Sequence, residues 1–201
     1  MIQDDIYSTI ESNAFFDRWN DSLKNPYAGE LRDNKKSILS QIEENISLSN
    51  LKVLEIGCFI GDLLSHLKKK YSCEVYGVEP SSKACDLSKK IFNLKIENSI
   101  FTKSNFFCLD NEKKYNFDLI ILDDVLSWIS RENIMMVLAI IDWLLKKNGA
   151  IFFRDFSPNF SFAYENHHQK GNNVYNYKQA NGHRDFFLKT GMYYEKHSKI
   201  S

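Results

Sequence analysis

The chain has 201 residues, the size of one ordinary domain, and its 43% hydrophobic and 14% aromatic content is enough for a packed core. Its 26 basic and 26 acidic residues balance, so no bulk charge draws it to nucleic acid or to an anionic membrane. Cys58, Cys73, Cys85 and Cys108 form no CxxC pair, which argues against a zinc or redox motif and fits buried thiols in a reducing cytoplasm.

The start, MIQDDIYSTIESN, is polar and acidic, unlike a signal peptide, and no apolar run nears the roughly 18 residues a membrane span needs. Lys, Asn, Ile and Phe are abundant beside only 3 prolines, the composition of an AT-rich bacterial coding sequence. FFDRW (15–19) and NPYAGE (25–30) precede the first core strand. LKVLEI (51–56) is a mostly apolar run ending at a glycine turn, as expected of a strand buried on both faces. Ile60, Leu63, Leu64 and Leu67 then recur at helical spacing, and Lys68–Lys70 close that helix at its negative dipole end.

CEVYGVE (73–79) is a second strand. Ser81 or Ser82 caps a helix through Phe92, with Ala84, Leu87 and Ile91 as its inner face. LKIEN (94–98) is a short third strand and FDLIILD (117–123) a strong fourth. Ser130 is the expected cap of a long helix striped by Ile134, Val137, Leu138, Ile141 and Leu145 and ending at Asn148-Gly149. AIFFRDF (150–156) is a fifth strand. The tail predicts a strand at 173–178, a helix over 183–190 and a strand over 192–200.

Strands alternating with helices imply a mostly parallel sheet covered on both faces, which binds ligands beyond the carboxyl ends of its strands. Gly57–Gly61, Glu79, Ser99, Asp123–Asp124 and Asp155 follow those ends and are expected to line one cleft. Glu79 lies 22 residues after Gly57, at the end of the second strand, where a carboxylate accepts hydrogen bonds from both ribose hydroxyls of an adenosine. A dinucleotide fingerprint GxGxxG needs glycines at 57, 59 and 62; the chain has Gly57, Phe59 and Asp62. Glu55 and Asp62 would also repel a pyrophosphate, so a ribose cofactor without phosphate, bearing an ammonium, fits better.

VLEIGCFIGD (53–62), YGVEPS (76–81), FDLIILDDVLSWI (117–129) and LLKKNGAIFFRDF (144–156) resemble, in order and at family spacing, the motifs of the class I S-adenosylmethionine-dependent methyltransferases of small-molecule type. The resemblance covers roughly 50–156. It implies an α/β, Rossmann-like, doubly wound, seven-stranded and mostly parallel sheet with helices on both faces. A single domain is then expected over 1–201: an N-terminal helical cap (1–48), a cofactor-binding core (50–156), and a substrate loop with a C-terminal strand-helix-strand (157–201).

By the same resemblance the cofactor is S-adenosyl-L-methionine and the product S-adenosyl-L-homocysteine. Glu55, Gly57, Cys58, Phe59 and Gly61 would frame it, with Glu79 and Pro80 at the ribose, Ser99 and Ile100 at the adenine, and Asp123 and Asp124 toward the amino group or transfer site. Many relatives carry Asp where Ser99 stands. Asp124 serves equally as a helix cap, and Cys58 reads as a small packing residue rather than a reactive thiol. Phe59 stands where relatives have the middle glycine, so its side chain either points away or forms a pocket wall. Phe15, Phe16, Trp19 and Tyr27 either cover the ligand or pack.

Several small-molecule relatives have Glu-His where Ser127 and Trp128 stand, so that base is missing and Trp128 either shapes the pocket or packs. The aperiodic stretch from Ser157 to Asn173 reads as a substrate loop. His167 or His168 is the expected base, and Tyr175, Tyr177, Lys178, His183 and Arg184 the expected contacts to a polar or anionic acceptor such as a sugar-type or phosphorylated precursor. No metal, nucleic acid or membrane partner is expected, and the chain is expected to be a cytoplasmic monomer or homodimer. The rival readings are a non-catalytic S-adenosylmethionine-binding sensor or scaffold, and a nicotinamide-dependent oxidoreductase.

Overall fold

The apolar runs become β1 (Lys52–Ile56), β2 (Glu74–Glu79), β3 (Glu97–Asn98), β4 (Phe117–Asp123) and β5 (Leu145–Arg154). A computed structural model of the chain describes residues 3–23, 27–108, 116–130, 132–155, 160–165, 171 and 175–178. The five strands form one parallel sheet in the order β3-β2-β1-β4-β5. Strand order therefore reverses beside β1, where β1 has β2 on one side and β4 on the other, opening a crevice at their carboxyl ends.

Alternation along the central strands feeds two cores. Leu54, Ile56, Ile120 and Leu122 pack with Val137, Leu138, Ile141 and Leu144 of α6 (Ile134–Leu144). Val53, Leu119 and Ile121 face the other way, onto α3 (Asp33–Glu43) and α4 (Asp62–Tyr71). Each such fully buried aliphatic side chain contributes about 1.5–3 kcal/mol. α5 (Ser82–Phe92) starts where expected. Ser81 is its cap, its Oγ accepting from the Ala84 N–H at 3.2 Å. Ahead of the sheet run α1 (Gln3–Ile6), a π-helical turn over Tyr7–Glu11, and α2 (Ser12–Asp21).

Three expectations are corrected. The sheet has five strands among the described residues, not seven. β6 (Phe162–Glu165) and β7 (Tyr175–Lys178) pair antiparallel with each other as a separate ribbon. β6 is exposed along its length, so it has no buried face with which to join a sheet covered on both sides. The last core helix ends at Leu144 rather than at Gly149, because Leu145 already pairs with Phe117. The register then shifts so that Ala150 faces Leu119. Gly149 makes that shift possible, since a Cβ there would meet Leu145 Cγ at 2.7 Å and the Phe117 carbonyl at 3.0 Å.

Ser130 does not cap α6: its Oγ has no hydrogen-bond partner. Asn133 stands at the N-cap without a side-chain cap bond, and the Asp4 carboxylate holds the segment before the helix, accepting from the Ser130 N–H at 3.3 Å and Asn133 Nδ2 at 2.7 Å. β7 occupies part of the expected tail strand, whereas the helix at 183–190 and the strand at 192–200 lie outside the described residues. No described helix is long and apolar enough to cross a membrane.

Candidate active site

A cleft of about 650 Å³ opens at the carboxyl ends of β1, β2 and β4. Of the residues expected at the cofactor, Gly57, Phe59, Glu79, Pro80, Ser99 and Ile100 line it, as do Asp123, Asp124 and Trp128. Glu55, Cys58 and Gly61 do not. Glu55 and Cys58 are 0% exposed, Cys58 lying against Gly77, where an added Cβ would meet its Sγ at 2.7 Å. Burial pushes the Cys58 thiol well up, as befits a packing residue. Gly61 starts α4 at φ 69, and a Cβ on it would meet Ile96 at 2.9 Å.

Glu79 ends β2 at the cleft wall. Its carboxylate accepts from the Phe59 N–H and the Ser81 N–H, both at 2.8 Å, so it fixes the glycine turn and the α5 entry together. Burial pushes its carboxyl up to about 7 despite those two donors. Asn98 staples the same strand end, donating to the Glu79 carbonyl at 3.1 Å and the Pro80 carbonyl at 2.9 Å.

Phe59 adopts φ 53, the left-handed backbone that favours glycine. Its ring is only 7% exposed and stands edge-on to Trp19 at 5.0 Å and to Phe15 at 5.5 Å, with Phe16 at 5.9 Å. The Arg32 guanidinium lies 4.9 Å from the ring centroid. Phe59 thus forms a cleft wall whose back is an aromatic cluster. Of the N-terminal aromatics, Phe15 lines the cleft; Phe16, Trp19 and Tyr27 pack behind Phe59.

Phe59→Gly is expected to relieve about 1 kcal/mol of backbone strain. It also removes a buried ring worth about 3–5 kcal/mol. The net should be a destabilisation of roughly 2–4 kcal/mol in denaturant unfolding. A variant as stable as the parent would show that the cluster does not hold the turn.

Below the turn, charges are matched in pairs. Lys35, 3% exposed, reaches from α3 to Glu55 at 2.7 Å and Asp123 at 3.2 Å. Arg154 Nε meets the other Asp123 oxygen at 2.8 Å. Both Asp123 oxygens therefore accept from cations. Burial pushes the Lys35 ammonium down, but Glu55 and Asp123 outweigh it and hold its pKa up. Burial pushes the Glu55 carboxyl up, only partly offset by Lys35. Arg32 grips the buried Asp62 with Nε and Nη2, at 2.9 and 2.7 Å.

The sequence reading missed Lys35, Arg32, Asn98 and Asp4. For Lys35 a signal existed: it shares the helical stripe of Ile38, Leu39 and Ile42, which is the buried face of α3. Asp124 sits at φ 54 and receives a hydrogen bond from Ser127 Oγ at 3.5 Å, while Asp155 accepts from the Ser127 N–H at 3.0 Å and so caps the turn Leu126–Trp128. Trp128 stands edge-on to Tyr7 at 5.0 Å. His167, His168, His183 and Arg184 lie outside the described residues. Tyr175, Tyr177 and Lys178 are placed by the backbone of β7 alone.

A parallel sheet of this order, with a glycine turn after β1 and a buried acid ending β2, defines a class I methyltransferase-like domain. The chain belongs to that family: the family model described as a methyltransferase domain matches residues 23–192. It is 33% identical over 107 residues to an uncharacterised protein of Rickettsia prowazekii (strain Madrid E), covering 52% of this chain and 42% of that one. It is 29% identical over 121 residues to phosphoethanolamine N-methyltransferase of Plasmodium falciparum (isolate 3D7), covering 60% and 44%. The chain thus spans less than half the length of these curated relatives. Among solved structures it resembles Burkholderia thailandensis 1,6-didemethyltoxoflavin-N1-methyltransferase, which holds 1,6-didemethyltoxoflavin and S-adenosylhomocysteine. The TM-score is 0.61 at 17% identity, covering 94% of this chain and 74% of that one.

Proposed function

We propose that the chain binds S-adenosylmethionine in this cleft and transfers its methyl group to a small polar acceptor. One observation carries the reading: the buried Glu79 carboxylate and the Gly57 turn line a single 650 Å³ cleft at the strand-order reversal. The residues fit the cofactor. Glu79 accepts ribose hydroxyls with the lone pairs its two backbone donors leave over. Ser99 and Ile100 flank the adenine, and Gly57, whose φ is 70, brings bare backbone to the methionine end. When bound, the cofactor supplies an electrophilic methyl on a sulfonium. The protein aligns the acceptor in line with it and excludes water.

His167 and His168 are the proposed base, with Tyr175, Tyr177, Lys178, His183 and Arg184 at the outer end of the acceptor. These roles rest on the sequence alone. A reducing cytoplasmic setting belongs to the same reading, supported by four free cysteines.

The test is S-adenosylhomocysteine release during incubation with candidate acceptors. Tight cofactor binding without release across a broad panel would favour the non-catalytic sensor. His167→Ala combined with His168→Ala should lower turnover roughly 100-fold or more while leaving cofactor affinity intact. Parental turnover would remove the histidines from the mechanism.

A further inference from the structure

The N-terminal helices are pinned at each end to the rim of the cleft. At the start, Asp4 holds the Ser130 N–H and the Asn133 side chain. Further on, Asn13 Oδ1 accepts from Ser81 Oγ at 2.9 Å, and Lys83 pairs with Asp17 at 2.6 Å. The π-helical turn Tyr7–Glu11 runs between these anchors, and Tyr7, Glu11, Ser12 and Phe15 line the cleft. Such a turn shifts the register of the side chains that follow it and recurs at functional sites.

Ser12 opens α2 directly after that turn. It is 8% exposed, and its Oγ has no hydrogen-bond partner. A serine inside a helix ordinarily bonds back to a carbonyl one turn earlier, as Ser8 does to the Asp5 carbonyl at 3.0 Å. Ser12 makes no such bond. A buried hydroxyl without a partner has lost its hydration for nothing, and few are kept in a folded chain. The loss is made good when the partner is a ligand in the cleft that Ser12 lines. With no bond to break, the hydroxyl swings between staggered rotamers toward that ligand at little cost.

The residues beside Ser12 show which end of the ligand it meets. Asn13 holds Ser81, whose N–H donates to one Glu79 oxygen. One turn on, Phe15 stands edge-on to Phe59, whose N–H donates to the other Glu79 oxygen. Ser12 thus lies between the two contacts that fasten α2 to the residues gripping Glu79, at the ribose end of the cleft.

We propose that Ser12 is a cofactor-binding residue: its Oγ hydrogen-bonds a hydroxyl of the ribose that Glu79 also holds, so the bound cofactor ties α2 to the end of β2. This rests on the cofactor reading above. The hydroxyl does nothing for the free protein and is used only in the complex, the reverse of a serine kept for folding.

The test is Ser12→Ala in the full chain. Denaturant unfolding of the free variant should show stability equal to the parent's or slightly greater, because the oxygen removed had no partner. Calorimetric affinity for S-adenosylhomocysteine should fall about three- to tenfold. The 2′-deoxy and 3′-deoxy analogues of S-adenosylhomocysteine then locate the contact. With one of them, parent and variant should bind equally, since the hydroxyl that Ser12 meets is gone. Unchanged affinity for S-adenosylhomocysteine would overturn the proposal, as would a loss of the same size with both deoxy analogues. A less stable free variant would assign Ser12 to folding and overturn it too. Each of these results leaves the methyltransferase reading intact. Failure of S-adenosylhomocysteine to bind the parent chain would overturn both.

Discussion

Lys35→Met is expected to destabilise the fold by about 3–5 kcal/mol, because it strips the partner from Glu55 and one partner from Asp123 in a buried site. The Glu55 carboxylate is 0% exposed, and one of its oxygens already lacks a hydrogen bond. Without Lys35 it can neither be solvated nor paired. The variant should respond to pH in a defined direction. The folded-state pKa of Glu55 is raised above its ordinary value of 4.5, burial being the cause, and losing Lys35 raises it further. A carboxyl raised on folding favours the folded state at low pH, and that contribution is lost as pH rises from about 4.5 through the raised value.

Denaturant unfolding at pH 5 and pH 8 should therefore show the variant's deficit growing with pH. Adding Glu55→Gln should recover part of the loss and flatten the pH dependence. Equal deficits at both pH values would mean that Glu55 is not the group left uncompensated. Arg154 keeps one Asp123 oxygen paired, so Asp123 contributes less to the loss.

Lys35 also marks where the sequence stopped being legible. β1, β4 and α5 were readable because continuous apolar runs and a serine cap leave few alternatives. A lysine in NKKS reads as solvated surface unless the helical stripe through Ile38, Leu39 and Ile42 is followed back to it. The boundary between α6 and β5 was misread for a different reason. Leu145 continues the helical stripe, and only its pairing with Phe117 turns it into strand. The family motifs placed the cleft, but spacing could not say that Glu55, Cys58 and Gly61 stand behind its wall. That depends on which way each side chain points from a turn with positive φ at Gly57, Phe59 and Gly61. Phe59 was an open alternative in the sequence. Its aromatic neighbours come from α2, more than 35 residues earlier, a pairing no local pattern encodes.

Glu79 links that turn to the proposed chemistry. Glu79→Ala is expected to weaken S-adenosylhomocysteine binding roughly 10- to 100-fold, through loss of a charged acceptor for the ribose hydroxyls. It should also cost about 1–3 kcal/mol for each backbone N–H it leaves unsatisfied, at Phe59 and at Ser81. Glu79→Gln keeps one acceptor oxygen and should fall between.

The pH dependence separates ligand binding from folding. Burial raises the Glu79 carboxyl to about 7, so in the free protein its contribution to stability is present below about 4.5 and lost as pH climbs to about 7. Ribose hydroxyls donate to the ionised form and favour it, so ligand affinity should run the other way, rising with pH up to about 7 and levelling above. Binding at pH 6.5 should then release protons, visible as a calorimetric heat that varies with the ionisation enthalpy of the buffer. Affinity that is flat from pH 5.5 to 8.5, with no proton released, would detach Glu79 from the ribose and leave it only its hold on the Phe59 and Ser81 amides.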